Sequence, residues 1–237
     1  MWTGPRTLLF DVMGTVVDID GSIRRLAGAT LSEAGVEARR VPGLIDEWGR
    51  VMQAAMDEIV AGAAPWHGHR DLRRAALEQV WSSTGGLPAL SDDVVTELSG
   101  VVGRLDPWPD SPAALADLRH TCTVVALSNA DQSELVALSA HGNLAWDGVL
   151  SAQTARSYKP DPAVYAMAAE ALSAEPAQVL MVAAHPWDLR GAAALGFATA
   201  YVARPDAEPP GAGDSFDLEV GDLGELADLM RERAPSG

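Results

Sequence analysis

The residues Thr7-Leu8-Leu9-Phe10-Asp11-Val12-Met13-Gly14-Thr15 place an acidic residue and a glycine turn directly after a short apolar run. Residues 7–12 predict a buried strand, because strands covered on both faces are continuous in apolar residues. Comparable runs follow at residues 122–127, 148–150, 179–183, 198–203 and 216–220. Helical patterns alternate with the later runs, at residues 112–118, 132–140, 162–172 and 188–195. This alternation predicts a doubly wound, Rossmann-like α/β core with a parallel sheet.

The stretch between residues 21 and 105 breaks this alternation and has only helical patterns. One apolar face repeats at helical spacing, through Leu44, Trp48, Val51, Ala55 and Ile59. Residues 71–81 and 94–105 predict further helices. We therefore expect a core made of residues 1–20 and 106–237, with residues 21–105 inserted after the first strand as a helical cap over the strand ends.

Composition limits the classes of protein and partner. The 237 residues are 48% hydrophobic and 21% charged, with no apolar run long enough to cross a bilayer, so we expect a soluble protein without a membrane partner. A formal charge of −16 repels the phosphate backbone and argues against nucleic acid. Cys122 is the single cysteine, so no disulfide forms and a cytoplasmic location is expected. The sequence does not determine the oligomeric state, and a homodimer is one of the states that it allows.

Polar residues follow the predicted strands at the carboxyl edge, where open α/β sheets place their ligands. Asp11 follows the first strand, and Thr15 can orient its carboxylate. Ser128 and Asn129 follow the run 122–127. The chain's single lysine, Lys159, lies in a loop stiffened by two prolines. Taken singly, such residues are more often loop anchors, turn residues or solvated charges.

A fourth group of polar residues follows the run 179–183, in Ala183-Ala184-His185-Pro186-Trp187-Asp188. Alone, His185 could be a hydrogen-bonded loop residue and Asp188 a helix cap. The order of all four groups, their strand contexts and the inserted cap together resemble the haloacid dehalogenase superfamily. The resemblance implies that Asp11 attacks the substrate as a nucleophile, that Ser128 and Lys159 hold negative charge, and that Asp188 completes the site.

Two departures from the phosphatase pattern of that superfamily indicate a branch. Phosphatases carry a second aspartate where this chain has Met13, and a Gly-Asp pair that supplies Mg²⁺ ligands where it has Ala183-Ala184. A departing halide needs neither a general acid nor a metal. The motifs resemble the type II 2-haloacid dehalogenases, so we expect a small anionic substrate and no cofactor or metal.

Resemblance to that branch also implies roles for individual residues. Ser128, Asn129 and Lys159 are expected near the substrate carboxylate, with Tyr165 supporting Lys159. Asp188, together with His185, is expected to activate the water that cleaves the aspartyl ester. These assignments come from the family and await the geometry of the site.

The cap departs from the branch at Trp48-Gly49, where the family has Trp-Arg and the arginine reaches the leaving halide. Arg50 is the neighbouring candidate for substrate binding, although one residue turns about 100° around a helix. Two other functions remain open: a Mg²⁺-dependent phosphatase or phosphonatase, and a non-catalytic binding protein of the same fold. His67-Gly68-His69 could suggest a metal site, but such loop histidines are more often solvated.

Overall fold

The computed structural model describes residues 4–205 and 207–233. Within them, the strands are β1 (Thr7–Phe10), β2 (Val17–Asp18), β3 (Asp106–Pro107), β4 (Thr123–Ser128), β5 (Gly148–Ser151), β6 (Val179–Ala183), β7 (Ala198–Val202) and β8 (Leu218–Val220). Six of them form a parallel sheet in the order β5-β4-β1-β6-β7-β8. The predicted α/β class is confirmed, and β1 lies in the middle of the sheet.

The helices of the described residues are α1 (Ile19–Glu33), α2 (Val41–Val60), α3 (His69–Ser83), α4 (Asp92–Ser99), α5 (Ser111–Leu118), α6 (Gln132–His141), α7 (Pro162–Leu172), α8 (Pro186–Ala194) and α9 (Leu223–Glu232). Helices α5 to α8 follow the predicted patterns to within a few residues, and α9 follows the last strand. Capping explains several of their starts. For example, Asp161 accepts a hydrogen bond from the backbone of α7, whose first residue is a proline.

Both faces of the central sheet are buried, because successive side chains of a strand point to opposite faces. On one face, Leu8 and Phe10 pack in a cluster with residues of α5, α6 and α9. On the other face, Leu9 packs with Tyr165 of α7 and Leu189 of α8. A strand covered on both sides holds its carboxyl end rigidly, and the residue that follows Phe10 is Asp11.

Helices α1 to α4 lie between β2 and β3, which pair antiparallel through two residues each. Leu44, Trp48 and Val51 of the predicted apolar face of α2 are buried in an apolar cluster apart from the two sheet clusters. Ile59, at the end of that face, is buried in a smaller cluster with Leu72 and Tyr158. The predicted cap of residues 21–105 begins and ends beside this strand pair. The exact boundary stays a prediction, and residues 1–3, 206 and 234–237 of the predicted core lie outside the described residues.

The helix predicted over residues 94–105 was wrong at its end, because α4 stops at Ser99 and a 3₁₀ turn covers Val101–Arg104. Gly100 is a poor helix former. In addition, the carbonyl of Ser99, which a continued helix would use itself, accepts a hydrogen bond of 2.8 Å from the Arg73 guanidinium. A contact from another helix therefore ends α4.

None of the helices in the described part of the chain is long and apolar enough to cross a membrane.

Candidate active site

Asp11 extends the central strand by one residue into the carboxyl edge of the sheet. Its backbone N–H still donates to Val182 O at 2.9 Å, so the neighbouring strand fixes its position. The residue is only 3% exposed. A buried carboxylate requires partners, and the structure supplies two to its oxygens.

Thr15 provides the first partner. Its hydroxyl donates to Asp11 Oδ2 at 2.6 Å and accepts from the Ala184 N–H at 2.8 Å, which joins the loop after β1 to the loop after β6. Gly14 makes this loop possible, since its φ of +80° favours glycine and a Cβ would lie 2.8 Å from the His185 ring. The prediction that Thr15 orients Asp11 agrees with this geometry.

Lys159 provides the second partner, and it connects two carboxylates. Its buried ammonium donates to Asp11 Oδ1 at 2.7 Å and to Asp188 Oδ2 at 2.5 Å. Burial alone would lower the pKa of Lys159, but the two carboxylates outweigh burial and raise it. The lysine therefore stays charged and is not a base.

Asp188 lies in the first turn of α8 and is fully buried. Burial raises the pKa of its carboxyl; Lys159 opposes this rise, while the charge of Asp11 adds to it. The Tyr165 hydroxyl donates to Asp188 Oδ1 at 2.6 Å. Tyr165 thus supports Lys159 indirectly, through the carboxylate that both contact. Burial, with the Asp188 carboxylate, raises the pKa of the Tyr165 phenol, which keeps it a donor.

Ser128 and Asn129 reach the same edge at the end of β4. The buried Ser128 hydroxyl accepts from the Ala130 N–H at 3.2 Å. Asn129 Oδ1 accepts from the Lys159 backbone N–H at 2.8 Å, and its amide donates to Lys159 O at 3.5 Å. Asn129 therefore holds the loop that carries Lys159.

His185 lies 3.8 Å from Asp11 Oδ2 through its Nε2 and stacks on Trp187. The same Nε2 lies 2.9 Å from the carbonyl oxygen of Met13. A carbonyl oxygen only accepts, so His185 carries a proton on Nε2. The basic nitrogen of the neutral ring is therefore Nδ1, not the nitrogen that faces Asp11.

The structure does not bring Arg50 into this group. Its side chain is 66% exposed and pairs with Glu47 on the surface of α2 at 2.5 Å. Gly49, by contrast, lines a cavity of about 360 Å³ between the cap helices, and apart from its chain neighbours and its own helix backbone no heavy atom lies within 4 Å of where its Cβ would be. We call this space the cap cavity; its lining includes Ile19, Trp48, Gly49, Met52, His69 and Arg73.

The prediction that both loop histidines are solvated was wrong for His69, which is 7% exposed, whereas His67 is exposed. His69 is the first residue of α3 and contacts Arg73, one helical turn further on, at 2.6 Å. Arg73 in turn pairs with Glu134 of α6 at 2.8 Å, and both side chains are buried. The sequence signal was present: histidine and arginine four residues apart share one helix face.

Two further residues, not predicted from the sequence, fix the loop after β1. The Trp108 indole donates to Gly14 O at 3.1 Å, and the Arg204 guanidinium donates to Thr15 O at 2.8 Å. Arg204 also lies over the Trp108 ring. Its position directly after the predicted strand of residues 198–203 was the available signal, since that position falls at the carboxyl edge.

The donor set of the site fits a divalent cation poorly. Each oxygen of Asp11 and of Asp188 accepts from at least one of Lys159, Thr15 and Tyr165. Met13 and Ala184 offer no carboxylate. Within residues 4–205 and 207–233, no group of three or more histidine, cysteine or acidic side chains could hold a metal ion.

The fold and the site define an α/β enzyme built around a buried aspartate at the carboxyl edge of the sheet. The model of the haloacid dehalogenase-like hydrolase family matches residues 5–196. The chain therefore belongs to that family.

Particular members of the family are similar over most of the chain. The (S)-2-haloacid dehalogenase of Xanthobacter autotrophicus is 29% identical over 204 residues, covering 84% of this chain and 75% of the relative. The crystal structure of the L-2-haloacid dehalogenase PA0810 has 35% identity and a TM-score of 0.85, covering 96% and 100%. The Xanthobacter autotrophicus L-2-haloacid dehalogenase with chloropropionic acid covalently bound has 25% identity and a TM-score of 0.79, covering 97% and 100%.

Proposed function

We propose that this protein hydrolyses the carbon–halogen bond of short 2-haloacids through an ester on Asp11, without a metal. The observation that carries the proposal is the buried ammonium of Lys159 between Asp11 and Asp188. It favours an ionised, fixed carboxylate at the base of the site. The similarity to named 2-haloacid dehalogenases supports the substrate class, and their names lead us to expect the (S) enantiomer.

In the first step, an Asp11 oxygen attacks C2 of the haloacid from the side opposite the halogen. A carbon–oxygen bond forms, the carbon–halogen bond breaks, and the halide leaves with the bonding electron pair. Thr15 and Lys159 each bind one oxygen of Asp11, so the carboxylate is already oriented and loses little rotational freedom in the transition state. The halide leaves without a proton, so this step needs no general acid at the position of Met13, whose thioether cannot donate one.

In the second step, water adds to the ester carbonyl of Asp11 and its proton passes to Asp188. The tetrahedral intermediate then expels the 2-hydroxyacid oxygen, which takes that proton. The second proton of the water remains on the Asp11 carboxyl group and is released to solvent, which restores the Asp11 carboxylate. The raised pKa of Asp188 brings it nearer to the pH at which a general base works well. His185 has a lesser part in this proposal, because its Nε2 proton is bound to Met13 O.

Groups of the core bind the substrate carboxylate in this proposal. The Ser128 hydroxyl accepts one hydrogen bond from the backbone and keeps its own proton to donate. Lys159 adds the positive charge that an anion needs, while Asn129 positions the Lys159 backbone. Arg50 has no part, because it is exposed and paired with Glu47.

We also propose that the protein is located in the cytoplasm. Its single cysteine, Cys122, is buried and unpaired, which supports this location. We further propose that the protein forms a homodimer. Size-exclusion chromatography with light scattering measures the mass in solution and tests this directly. A mass of one chain would remove the dimer from the proposal and leave the chemistry unchanged.

The experiment that tests the activity is a panel of 2-haloacids and phosphate esters, each assayed with Mg²⁺ and with a chelator. We expect halide release that the chelator leaves unchanged, and no phosphate release. Phosphate release that requires Mg²⁺ would replace the dehalogenase with a phosphatase. If no compound gave a product but the haloacids still bound, the chain would be a non-catalytic binding protein of this fold.

A further inference from the structure

The cap cavity contains several hydrogen-bond donors, and most of them are already engaged. Trp48 Nε1 donates to the Arg73 backbone carbonyl at 2.8 Å. Arg24 pairs with Asp46, and Gln53 donates to Asp57. Among the described residues that line the cavity, His69 is different: its ring lies in a side chain only 9% exposed, and no protein partner is found for its Nε2.

The tautomer of His69 follows from its neighbour. Arg73 Nη2 lies 2.6 Å from His69 Nδ1, and a guanidinium can only donate, so Nδ1 accepts. Glu134 Oε2 lies further from the same nitrogen, at 3.5 Å. Burial and the charge of Arg73 lower the pKa of His69, so the ring is neutral. The single imidazole proton is therefore on Nε2, the nitrogen without a protein partner.

His69 is also attached to the loops that carry the catalytic residues. The Asp131 carboxylate, two residues beyond Asn129, accepts from the backbone N–H groups of His69 and Arg70 at 3.0 and 2.9 Å. The ring of Tyr158, next to Lys159, lies 6.2 Å from the His69 ring, centroid to centroid. These contacts fix the position of the imidazole relative to Lys159.

Shared residues connect the cap cavity to the surroundings of the carboxylate site. Ile19 and Asp20 line the cavity and also a small hollow that includes Gly14 and His185, and His185 lies 3.8 Å from Asp11. In a backside displacement the leaving group points away from the nucleophile. With Asp11 on the sheet edge, the halide therefore leaves toward the cap.

We propose that the Nε2–H of His69 donates to the departing halide in the cap cavity, to whose lining Gly49 contributes no side chain. This inference rests on the proposed dehalogenase function. Arg73 acts behind His69 as a positioning residue, because it sets the tautomer and is itself neutralised by Glu134. A neutral N–H donor favours compact halides with high charge density, so chloride gains more from it than iodide.

The experiment uses variants that separate the donor from the packing. His69→Asn keeps an oxygen to accept from Arg73 but has no donor at the Nε2 position, whereas His69→Gln restores an amide donor there. Single-turnover release of chloride from 2-chloropropionate should fall about 10²–10³-fold in His69→Asn, the usual effect of losing one preorganised donor. His69→Gln should recover part of that loss. The matched control is His67→Asn, on an exposed side chain two residues before His69, and it should behave as wild type.

Leaving-group dependence distinguishes a halide donor from a structural residue. The loss in His69→Asn should be largest for 2-chloropropionate, smaller for the bromo acid and smallest for the iodo acid. Equal losses for all three acids, or no loss at all, would overturn the inference and leave the dehalogenase function intact.

Chloride binding tests the halide site at His69 independently of the dehalogenase activity. Broadening of the chloride NMR line by the wild-type protein should decrease in His69→Asn and persist in His67→Asn. If wild type releases no halide but shows this pattern, the proposed function fails and the halide site stands. If the three proteins broaden the line equally, His69 is not a halide donor.

Discussion

At the scale of single residues, Asp11 carries the proposed ester. Asp11→Asn preserves shape and a hydrogen-bond acceptor for Lys159, but a neutral amide is a poor nucleophile. We expect turnover of 2-chloropropionate to fall by about 10⁴-fold or more, a loss typical of removing a covalent nucleophile. Halide release measures the loss, and an unchanged melting temperature shows that the variant is folded.

The wild-type enzyme gives an independent check of the same ester. After one turnover in water labelled with heavy oxygen, mass spectrometry should find the label in the peptide that contains Asp11, because water attacks the ester at its carbonyl carbon. Label that enters the product directly and never the peptide would exclude the covalent intermediate.

Tyr165 should influence the pH profile through Asp188. Its hydroxyl donates to Asp188 Oδ1, which favours the ionised carboxylate and lowers a pKa that burial raises. In Tyr165→Phe that pKa rises further. If Asp188 acts ionised, activity is lost as the pH falls through this pKa, so the acid limb of kcat should move to higher pH. Tyr201→Phe, whose hydroxyl has no contact with Asp188, is the control, and an unmoved limb in Tyr165→Phe would remove Asp188 as the titrating base.

The sequence located those site residues whose position follows from a strand end. Asp11, Ser128 and Asp188 each come after a predicted strand, and parallel strands bring their carboxyl ends to one edge. Contacts between segments far apart in the sequence could not be predicted from strand ends. The link between Asn129 and the Lys159 backbone, and the burial of His69, depend on how loops and the cap pack.

At the scale of elements, α2 presents Gly49 to the cap cavity and Arg50 to solvent. Gly49→Arg would add a guanidinium side chain to the lining of the cap cavity, which His69 also lines, at a position where the new Cβ meets no atom of another element within 4 Å, and it would remove a poor helix former. We expect a higher kcat on 2-chloro and 2-bromo acids, because a charged donor stabilises the departing halide more than a neutral one.

Arg50→Ala is the matched control for Gly49→Arg, and kcat should hardly change, since this side chain faces water. Steady-state halide release decides between the two residues. If Arg50→Ala abolishes activity while Gly49→Arg adds nothing, then α2 turns in the working enzyme and Arg50 reaches the halide after all.

Elements with a long periodic pattern were predictable, and short ones were not. The apolar repeat of α2, from Leu44 to Ile59, covers about four turns, so its helix was correctly predicted. Strands β2 and β3 have two residues each, too few for any alternation to be visible. The end of α4 depends on Arg73, which lies on another helix.

At the scale of the whole molecule, a small number of buried polar contacts join the cap to the core. Arg73 of α3 pairs with Glu134 of α6 at 2.8 Å, with side chains 4% and 3% exposed. Tyr158, in the loop before α7, donates to the His67 carbonyl at 2.6 Å. Both contacts lie beside His69, so the same interactions that hold the cap also fix the proposed halide donor.

Loss of the Arg73–Glu134 pair should therefore weaken the whole protein. Arg73→Met leaves the Glu134 carboxylate buried without its cation, and breaking such a pair typically costs about 3–5 kcal/mol in the free energy of unfolding. Urea unfolding should show this loss. The adjacent Arg74→Met removes only exposed pairs, with Glu78 and Asp92, and should change stability by about 0.5 kcal/mol or less.

The double variant Arg73→Met with Glu134→Gln separates the cost of an unpaired charge from the value of the pair. Because the buried carboxylate is gone, the double variant should be more stable than Arg73→Met alone, although its dehalogenase activity should stay low, since His69 has lost the donor that sets its tautomer. If Arg73→Met is as stable as Arg74→Met, the pair does not hold the cap to the core, and the position of His69 must then depend on Asp131 and Tyr158 instead.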